Sequence, residues 1–287
     1  MTRLLYAALV VVGLSSPAIA QEWTGTLKRI AETGEFKIGY VPDAPPMSFH
    51  DAEGKPIGYS ISLCQAIARA VRETVGLDEL DISYVPLVAP ERRLTAVEDR
   101  TVDIECAAST VTLSRRERVD FTLMTFITGG AVLSKISAPI NAVFEAAGKK
   151  VAVIKGTTTH AALSEFIVSN EFEITLRIIE THDEGMRLLD EGKVDGYASD
   201  RAMLIGQVFR SADRSRYAIT RDVFSFEPYA LMLHRGDTDF RLVADRALAK
   251  LYGTARIRRL YQNWFGRYGE PMSPVLEALY EFQAVGE

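Results

Sequence analysis

The sequence predicts an α/β fold with mostly parallel sheets and helices on both of their faces. Strand-like and helix-like segments alternate in the order β-α-β-α-β over residues 35–109. A second alternation runs over residues 150–204, after an extended, glycine-containing stretch at 126–133. Each run is large enough for a domain, and the two are not repeats of each other. Because such alternation brings the carboxyl ends of parallel strands to one edge, we expect ligand-binding residues there.

The first alternation begins with a strand at residues 35–40, followed by a proline-rich loop at 41–47 that cannot continue a sheet ladder. Residues 61–75 carry apolar side chains at i, i+3 and i+4 spacing, which predicts a helix that Gly76 ends. A strand at 81–86, a helix at 91–99 and a largely buried strand at 102–109 complete this half.

The second alternation places strands at 150–154, 175–179 and 194–198 between helices at 161–168 and 183–190, with Asp200 opening a third helix. A turn at 156–159, extended segments at 217–220 and 229–233, and helices at 239–251 and 257–265 complete the predicted elements. The proline-containing C-terminal stretch shows no clear pattern.

Residues 110–122 combine hydroxyls and three arginines in one strand-to-helix turn. Ser114 and Glu117 fit the S-x-x-E capping box, which predicts a short helix from Ser114 with Arg115 in its first turn. A helix start offers free N–H groups, and a guanidinium beside Thr110 and Thr112 suits a carboxylate. The segment is therefore a candidate anion-binding site, and the alternative is a solvated basic turn.

Composition and charge exclude several classes of protein. The 287 residues are 47% hydrophobic and 25% charged, as in soluble globular proteins, and the formal net charge is −5. Without a run of one sign, the chain indicates neither a nucleic-acid-binding surface nor a polybasic membrane patch.

The N-terminus predicts export. Arg3, the apolar run at 4–14 and Ala18-Ile19-Ala20 form a signal peptide over residues 1–20. The mature chain would begin at Gln21, which argues against a lipid anchor at that site, and no later run approaches the ~18 apolar residues of a membrane span. The alternative is an uncleaved N-terminal anchor.

Export affects how the two cysteines are interpreted. In an oxidising compartment Cys64 and Cys106 can form one disulfide if their Cα atoms lie within roughly 7 Å, and two buried free thiols are the alternative. The four histidines are scattered without zinc-ligand spacing, so we predict no metal site and no cofactor.

Several segments resemble those of a known protein family, and the resemblance spans nearly the whole mature chain. They are Gly58 to Ala68, Val102 to Cys106, Arg115 with Val119-Asp120-Phe121, Gly156-Thr157-Thr158 and Asn263-Trp264-Phe265. With these segments the chain resembles the periplasmic solute-binding proteins of polar amino-acid ABC transporters, closest to the glutamate/aspartate branch. The resemblance implies a two-lobed flytrap fold with two crossover strands and the ligand between the lobes. Lobe 1 would comprise residues 21–126 plus 230–287, and lobe 2 residues 127–229.

The resemblance also implies roles for individual residues. Arg115 would bind the ligand α-carboxylate, helped by Thr110 from lobe 1 and by Thr157 and Thr158 from lobe 2. Asp200 would receive the α-ammonium group, and a plain helix N-cap is its alternative role.

Side-chain recognition is expected elsewhere in the cleft. Arg93 and His182 match positions that contact or line the region of the ligand side chain. The alternatives are a solvated helix charge for Arg93 and a surface or capping group for His182. The chain departs from the glutamate/aspartate branch at three positions, because Val41 replaces an arginine and Pro90 and Ala108 replace serines. Losing these groups weakens recognition of a side-chain carboxylate, so an acidic ligand is favoured only modestly over an amide or a broader polar set.

The resemblance implies a monomeric periplasmic protein that delivers an amino acid to ABC permease subunits, without catalysis and without membrane insertion after signal cleavage. One alternative is an exported enzyme resembling cyclohexadienyl dehydratases, with Glu105 or Glu227 as general acid. Another is a soluble receptor that presents its ligand-bound form to a sensor or chemoreceptor.

Overall fold

Two five-stranded mixed sheets organise the protein in the computed structural model, which describes residues 22–286. In spatial order, the first sheet comprises β5 (Asp81–Pro86), β1 (Glu35–Tyr40), β6 (Ile104–Glu105), β13 (Glu227–His234) and β7 (Val119–Thr128). Strands β5, β1 and β6 are parallel, whereas β13 is antiparallel to both of its neighbours. The predicted signal peptide, residues 1–20, lies outside the described residues.

Helices cover the first sheet on both faces. They are α1 (Gly25–Thr33), α2 (Tyr59–Val75), α3 (Pro90–Glu98), α4 (Leu113–Arg116), α8 (Thr238–Tyr252), α9 (Ala255–Trp264) and α10 (Pro274–Gln283). Helix α2 buries Ile61, Cys64, Ile67 and Val71 in the main core, as its apolar spacing predicts, and Gly76 ends it in a left-handed conformation. The predicted disulfide is confirmed: Cys64 of α2 is bonded to Cys106, with their Cα atoms 6.3 Å apart.

A small three-stranded sheet extends from this lobe. Its strands are β2 (Asp43–Ala44), β3 (Ser48–His50) and β4 (Pro56–Ile57). Ser48 is fully buried and fixes the preceding loop, because its Oγ accepts the Val41 N–H and donates to the Val41 carbonyl. The loop thereby holds β2 toward the other lobe.

The second sheet is built from the middle of the chain. Its spatial order is β10 (Thr175–Ile179), β9 (Lys150–Ile154), β11 (Gly196–Asp200), β8 (Gly130–Lys135) and β12 (Tyr217–Ile219). Strands β10, β9 and β11 are parallel, and β8 is antiparallel to β11 and β12. Helices α5 (Thr158–Ser169), α6 (His182–Asp190) and α7 (Arg201–Arg210) connect the strands.

The chain crosses between the sheets twice, at residues 128–130 and 220–226, so the predicted two-lobed α/β fold is confirmed. The crossings lie side by side: Gly129 is so close to Ser225 that a Cβ added at Gly129 would collide with the Ser225 carbonyl oxygen. Thr128 and Glu227 are paired in the β7–β13 ladder at the same point. The predicted lobe limits, 21–126 plus 230–287 and 127–229, stay a prediction and cut β7 and β13 near this pairing.

Two local predictions are wrong. The capping box at Ser114 does not form: Thr112, with an extended backbone, is the N-cap of α4 and its Oγ1 accepts the Arg115 N–H at 3.1 Å. The strand predicted for residues 102–109 is reduced to Ile104 and Glu105, because the Val102 N–H bonds to a helix carbonyl. Beyond Cys106 the regular ladder ends, and the chain contacts the sheet again at an isolated antiparallel bridge between Thr110 and Tyr229.

Helices α1 and α10 were not predicted from the sequence. Within residues 22–286, no helix combines the length and apolar character needed to cross a membrane.

Candidate functional site

A cleft between the lobes brings together all nine predicted ligand-binding residues. It lies at the carboxyl ends of β1 and β6 in one lobe and of β9, β10 and β11 in the other. The nine residues that line it are Val41, Arg93, Ala108, Thr110, Arg115, Thr157, Thr158, His182 and Asp200. The cleft surface also includes the polar residues Asp43, Thr159 and Glu180, and the apolar residue Pro90.

Arg115 is the principal cation of the cleft. Its Nη1 donates to the Thr110 carbonyl at 2.8 Å, which orients the guanidinium, and the Thr112 cap fixes its backbone. Burial lowers the pKa of Arg115 first, and the nearby Arg93 lowers it further. Both effects penalise the charged form, so an anion that enters the cleft would relieve them.

Helix α5 presents its N-terminus to the same cleft. Thr157 is the N-cap: its Oγ1 accepts the His160 N–H at 3.0 Å and donates to the Ile154 carbonyl at 2.8 Å. The hydroxyl of Thr157 is thus occupied by the cap. N–H groups in the first turn of a helix have no acceptor within the helix, so those of Thr158 and Thr159 are suited to an anion.

Glu227 is a buried carboxylate at the junction of the lobes, where it accepts three hydroxyl groups. Thr110 of one lobe donates to its Oε2 at 2.6 Å, and Thr158 of the other donates to the same oxygen at 2.7 Å. Ser225 donates to Oε1 at 2.6 Å. Each hydroxyl has one proton, so Thr110 and Thr158 present oxygen lone pairs, not donors, to the cleft.

Asp200 is the second charged residue predicted for the site. It occupies the N-cap position of α7, but its side chain makes no cap hydrogen bond. Its Oδ1 instead accepts a hydrogen bond from Thr159 Oγ1 at 2.6 Å, and its Oδ2 accepts one from the Tyr229 hydroxyl. Burial raises the pKa of Asp200 to about 6, and the neighbouring charge of Glu227 raises it too. A bound cation would favour the ionised form.

Arg93 lies beside a fully buried carboxylate. Its Nη1 is 3.8 Å from Glu105 Oε1, which also accepts the Ser109 hydroxyl at 3.1 Å. Among the described residues, Arg93 Nε and Glu105 Oε2 have no hydrogen-bond partner. Burial raises the pKa of Glu105. The solvated-surface alternative for Arg93 is wrong, since only 13% of its side chain is exposed.

Asp43 and His182 join the lobes across the cleft. The backbone N–H of His182, at the start of α6, donates to Asp43 Oδ2 at 2.9 Å. The His182 ring packs inward, with Nδ1 2.5 Å from the Tyr197 hydroxyl, and burial lowers its pKa. The surface alternative for His182 is therefore not what the structure shows.

Helix α7 also approaches the opposite lobe closely. Gln207 Nε2 donates to the Asp43 carbonyl at 2.7 Å, and a Cβ at Gly206 would collide with the Pro45 carbonyl. Glycine at position 206 thus permits this contact between the lobes.

The pattern of two α/β lobes around a charged cleft has a counterpart among known proteins. The family described as bacterial extracellular solute-binding proteins, family 3, matches residues 36–267 of the chain. The chain belongs to this family.

Two bacterial relatives are similar over most of their length. The L-glutamate/L-aspartate-binding protein of Pseudomonas aeruginosa is 34% identical over 263 residues, which cover 91% of this chain and 87% of the relative. The glutamate/aspartate import solute-binding protein of Salmonella typhimurium is 28% identical over 271 residues, 92% and 88% of the two chains.

Solved structures share the fold. The ancestral amino acid-binding protein AncCDT-1, a precursor of cyclohexadienyl dehydratase, aligns with a TM-score of 0.73 at 24% identity. The alignment covers 84% of this chain and all of that one.

Sequence reasoning did not assign Asp43, Thr159 or Tyr229 to the site, and it considered Glu227 only as a possible catalytic acid. Asp43 and Glu227 are far from their partners in sequence, with separations of 139 residues for His182 and 117 for Thr110. The third consecutive threonine after Gly156 was an available signal, since Thr159 lies in the first turn of a helix beside Asp200.

Proposed function

We propose that this solute-binding protein captures a polar L-amino acid in the periplasm and delivers it to the permease of an ABC transporter. The observation that carries the proposal is the pair of opposite charges, Arg115 on one lobe and Asp200 on the other, in a single cleft. An amino acid bears an anionic and a cationic group on one carbon, so it matches this pair. The names of the glutamate/aspartate-binding relatives support the same class of ligand.

The α-carboxylate would bind Arg115 and the first-turn N–H groups of α5. The α-ammonium group would bind Asp200 and the lone pairs of the Thr110 and Thr158 hydroxyls, which Glu227 orients. Contacts from both lobes give the closed arrangement a higher affinity than an open one, which is what shifts an open–closed equilibrium. Micromolar binding requires about −8 kcal/mol in total.

We further propose that the protein is a monomer, that residues 1–20 are cleaved on export, and that it catalyses no reaction. Both candidate general acids interact with other protein groups. Glu227 accepts hydrogen bonds from three hydroxyl groups, and Glu105 forms a loose ion pair with Arg93. Prephenate lacks an ammonium group for Asp200. Turnover of prephenate or arogenate by the purified protein would overturn this part of the proposal.

Thermal-shift measurements against the twenty amino acids test the ligand class. The protein is first unfolded and refolded with its disulfide intact, to remove any co-purified ligand. A ligand that binds only the folded state raises the unfolding temperature. Delivery is tested separately, by uptake of the labelled ligand in cells that lack the gene and in the complemented strain.

The Arg115→Ala substitution tests the carboxylate assignment. We expect binding to weaken by roughly 2–5 kcal/mol in titration calorimetry, because the ligand carboxylate loses its charged partner in a buried site. Arg116→Ala is the matched control, since Arg116 is the adjacent residue on α4 and is exposed. Equal affinities for the two variants would contradict the proposal.

A further inference from the structure

The charges of the cleft beyond Arg115 and Asp200 bear on which side chain it accepts. We call this region, lined by Val41, Asp43, Arg93, Ala108 and His182, the side-chain end. Its assignment to the ligand side chain rests on the proposed function, in which Arg115 and Asp200 hold the two groups on the α-carbon.

Arg93 supplies hydrogen-bond donors to the side-chain end, but its charge has a nearby counter-charge. Glu105, whose side chain is completely buried, lies 3.8 Å from Arg93 Nη1. That distance is that of a loose ion pair rather than a hydrogen bond, and Arg93 Nε has no partner within residues 22–286. The guanidinium therefore retains N–H groups that are free to donate.

Asp43 adds an acceptor and a negative charge to the same region. Its Oδ2 accepts the His182 N–H at 2.9 Å, and no hydrogen bond to its Oδ1 is found within the described chain. Burial lowers the pKa of His182, so the imidazole carries no charge at pH 7.

The net charge of Arg93, Asp43 and Glu105 together is not positive. With Glu105 protonated, Arg93 and Asp43 cancel, and with Glu105 ionised the side-chain end has a formal charge of −1. A carboxylate side chain would therefore lose its hydration without gaining a net positive environment, which is unfavourable in a buried site. An uncharged side chain with one acceptor and one donor avoids this cost.

We propose that the side-chain end selects a carboxamide, as in glutamine or asparagine, over the corresponding carboxylate. Arg93 donates to the amide oxygen, and Asp43 accepts from the amide NH₂. Val41 and Ala108 contact the aliphatic part of the side chain. Asp43 is thus the residue that distinguishes an amide from an acid, because its carboxylate attracts the NH₂ donor and repels a second carboxylate.

The test compares glutamine with glutamate, and asparagine with aspartate, by titration calorimetry on ligand-stripped protein at pH 7.5. We expect the wild type to bind the better amide at least about tenfold more tightly than its acid. The Asp43→Asn variant keeps an acceptor for the His182 N–H and removes the charge, so the amide-to-acid preference should fall by about tenfold. Glu53→Gln, which removes an exposed carboxylate outside the cleft, is the control and should leave the preference unchanged.

The preference is the ratio of two affinities. If Asp43→Asn weakens the contact between the lobes, the affinities for amide and acid fall by the same factor, and the ratio does not change. A wild type that prefers the acids, or arginine or lysine, would overturn the inference and leave the proposed function standing. A ratio that Asp43→Asn does not change would remove Asp43 from the specificity assignment. Binding to none of the twenty amino acids would instead overturn the proposed function.

Discussion

Ligand affinity should fall about tenfold when the pH is lowered from 7 to 5, because Asp200 must be ionised to receive an ammonium group. Burial and the charge of Glu227 raise its pKa to about 6. At that pKa roughly nine-tenths of the carboxyl groups are ionised at pH 7 and roughly one-tenth at pH 5. The difference corresponds to about 1.4 kcal/mol of binding free energy.

Titration calorimetry with glutamine from pH 5 to pH 8 measures the effect. Near pH 6, binding should release about half a proton, which appears as a dependence of the binding enthalpy on the buffer. Asp200→Asn should bind weakly and show a flat profile, whereas His182→Gln should keep the slope. Wild-type affinity that is constant from pH 5 to pH 7, or highest at pH 5, would refute the reasoning.

The same pKa has the opposite effect on folding. Because the folded-state value is raised above the ordinary 3.8, the contribution of Asp200 to the free energy of unfolding is fully present below about pH 4. It is lost as the pH rises through about 6. Ligand-free protein should therefore gain stability from this residue at the pH values where it loses affinity.

Three further substitutions have defined outcomes. Glu227→Gln removes a charge that raises the pKa of Asp200, so the midpoint of the affinity–pH profile should move below 6, and an unmoved midpoint would contradict this. Cys106→Ser removes the disulfide, which links residues 42 positions apart in the sequence. It should lower the free energy of unfolding in urea by about 4 kcal/mol, and an unchanged urea midpoint would argue against the bridge. Gly206→Ala places a methyl group against the Pro45 carbonyl and should weaken binding by about 1–3 kcal/mol through hindered closure, which unchanged affinity would disprove.

Hydrophobic periodicity was sufficient to predict most of the fold. The strands at 35–40, 81–86, 150–154 and 175–179 have the predicted bounds, because each is a short segment with regularly placed apolar residues. Helix α1 was missed because only Thr26, Leu27 and Ile30 are buried, too few to give a recognisable pattern.

The candidate site was predictable where a resemblance to a family supplied the roles, and less so where contacts depend on closure. Arg115 and Asp200 could be assigned from the sequence, and Thr110 and Thr158 were expected to help Arg115 bind the ligand carboxylate. The hydroxyl groups of both threonines instead donate to Glu227, which is 117 and 69 residues away along the chain. Local patterns carry no information about such distances.

The position of β13 in the first sheet has a consequence for the order in which the lobes can form. All five strands of the second sheet lie between residues 130 and 219. In the first sheet, β13 at 227–234 lies between β6 and β7. As the chain emerges during synthesis or export, the second lobe has its complete sheet first. The first lobe meanwhile exposes two unpaired strand edges, which are prone to non-native pairing. A chain that ends shortly after residue 219 would therefore lack the middle of its first sheet, not a dispensable edge.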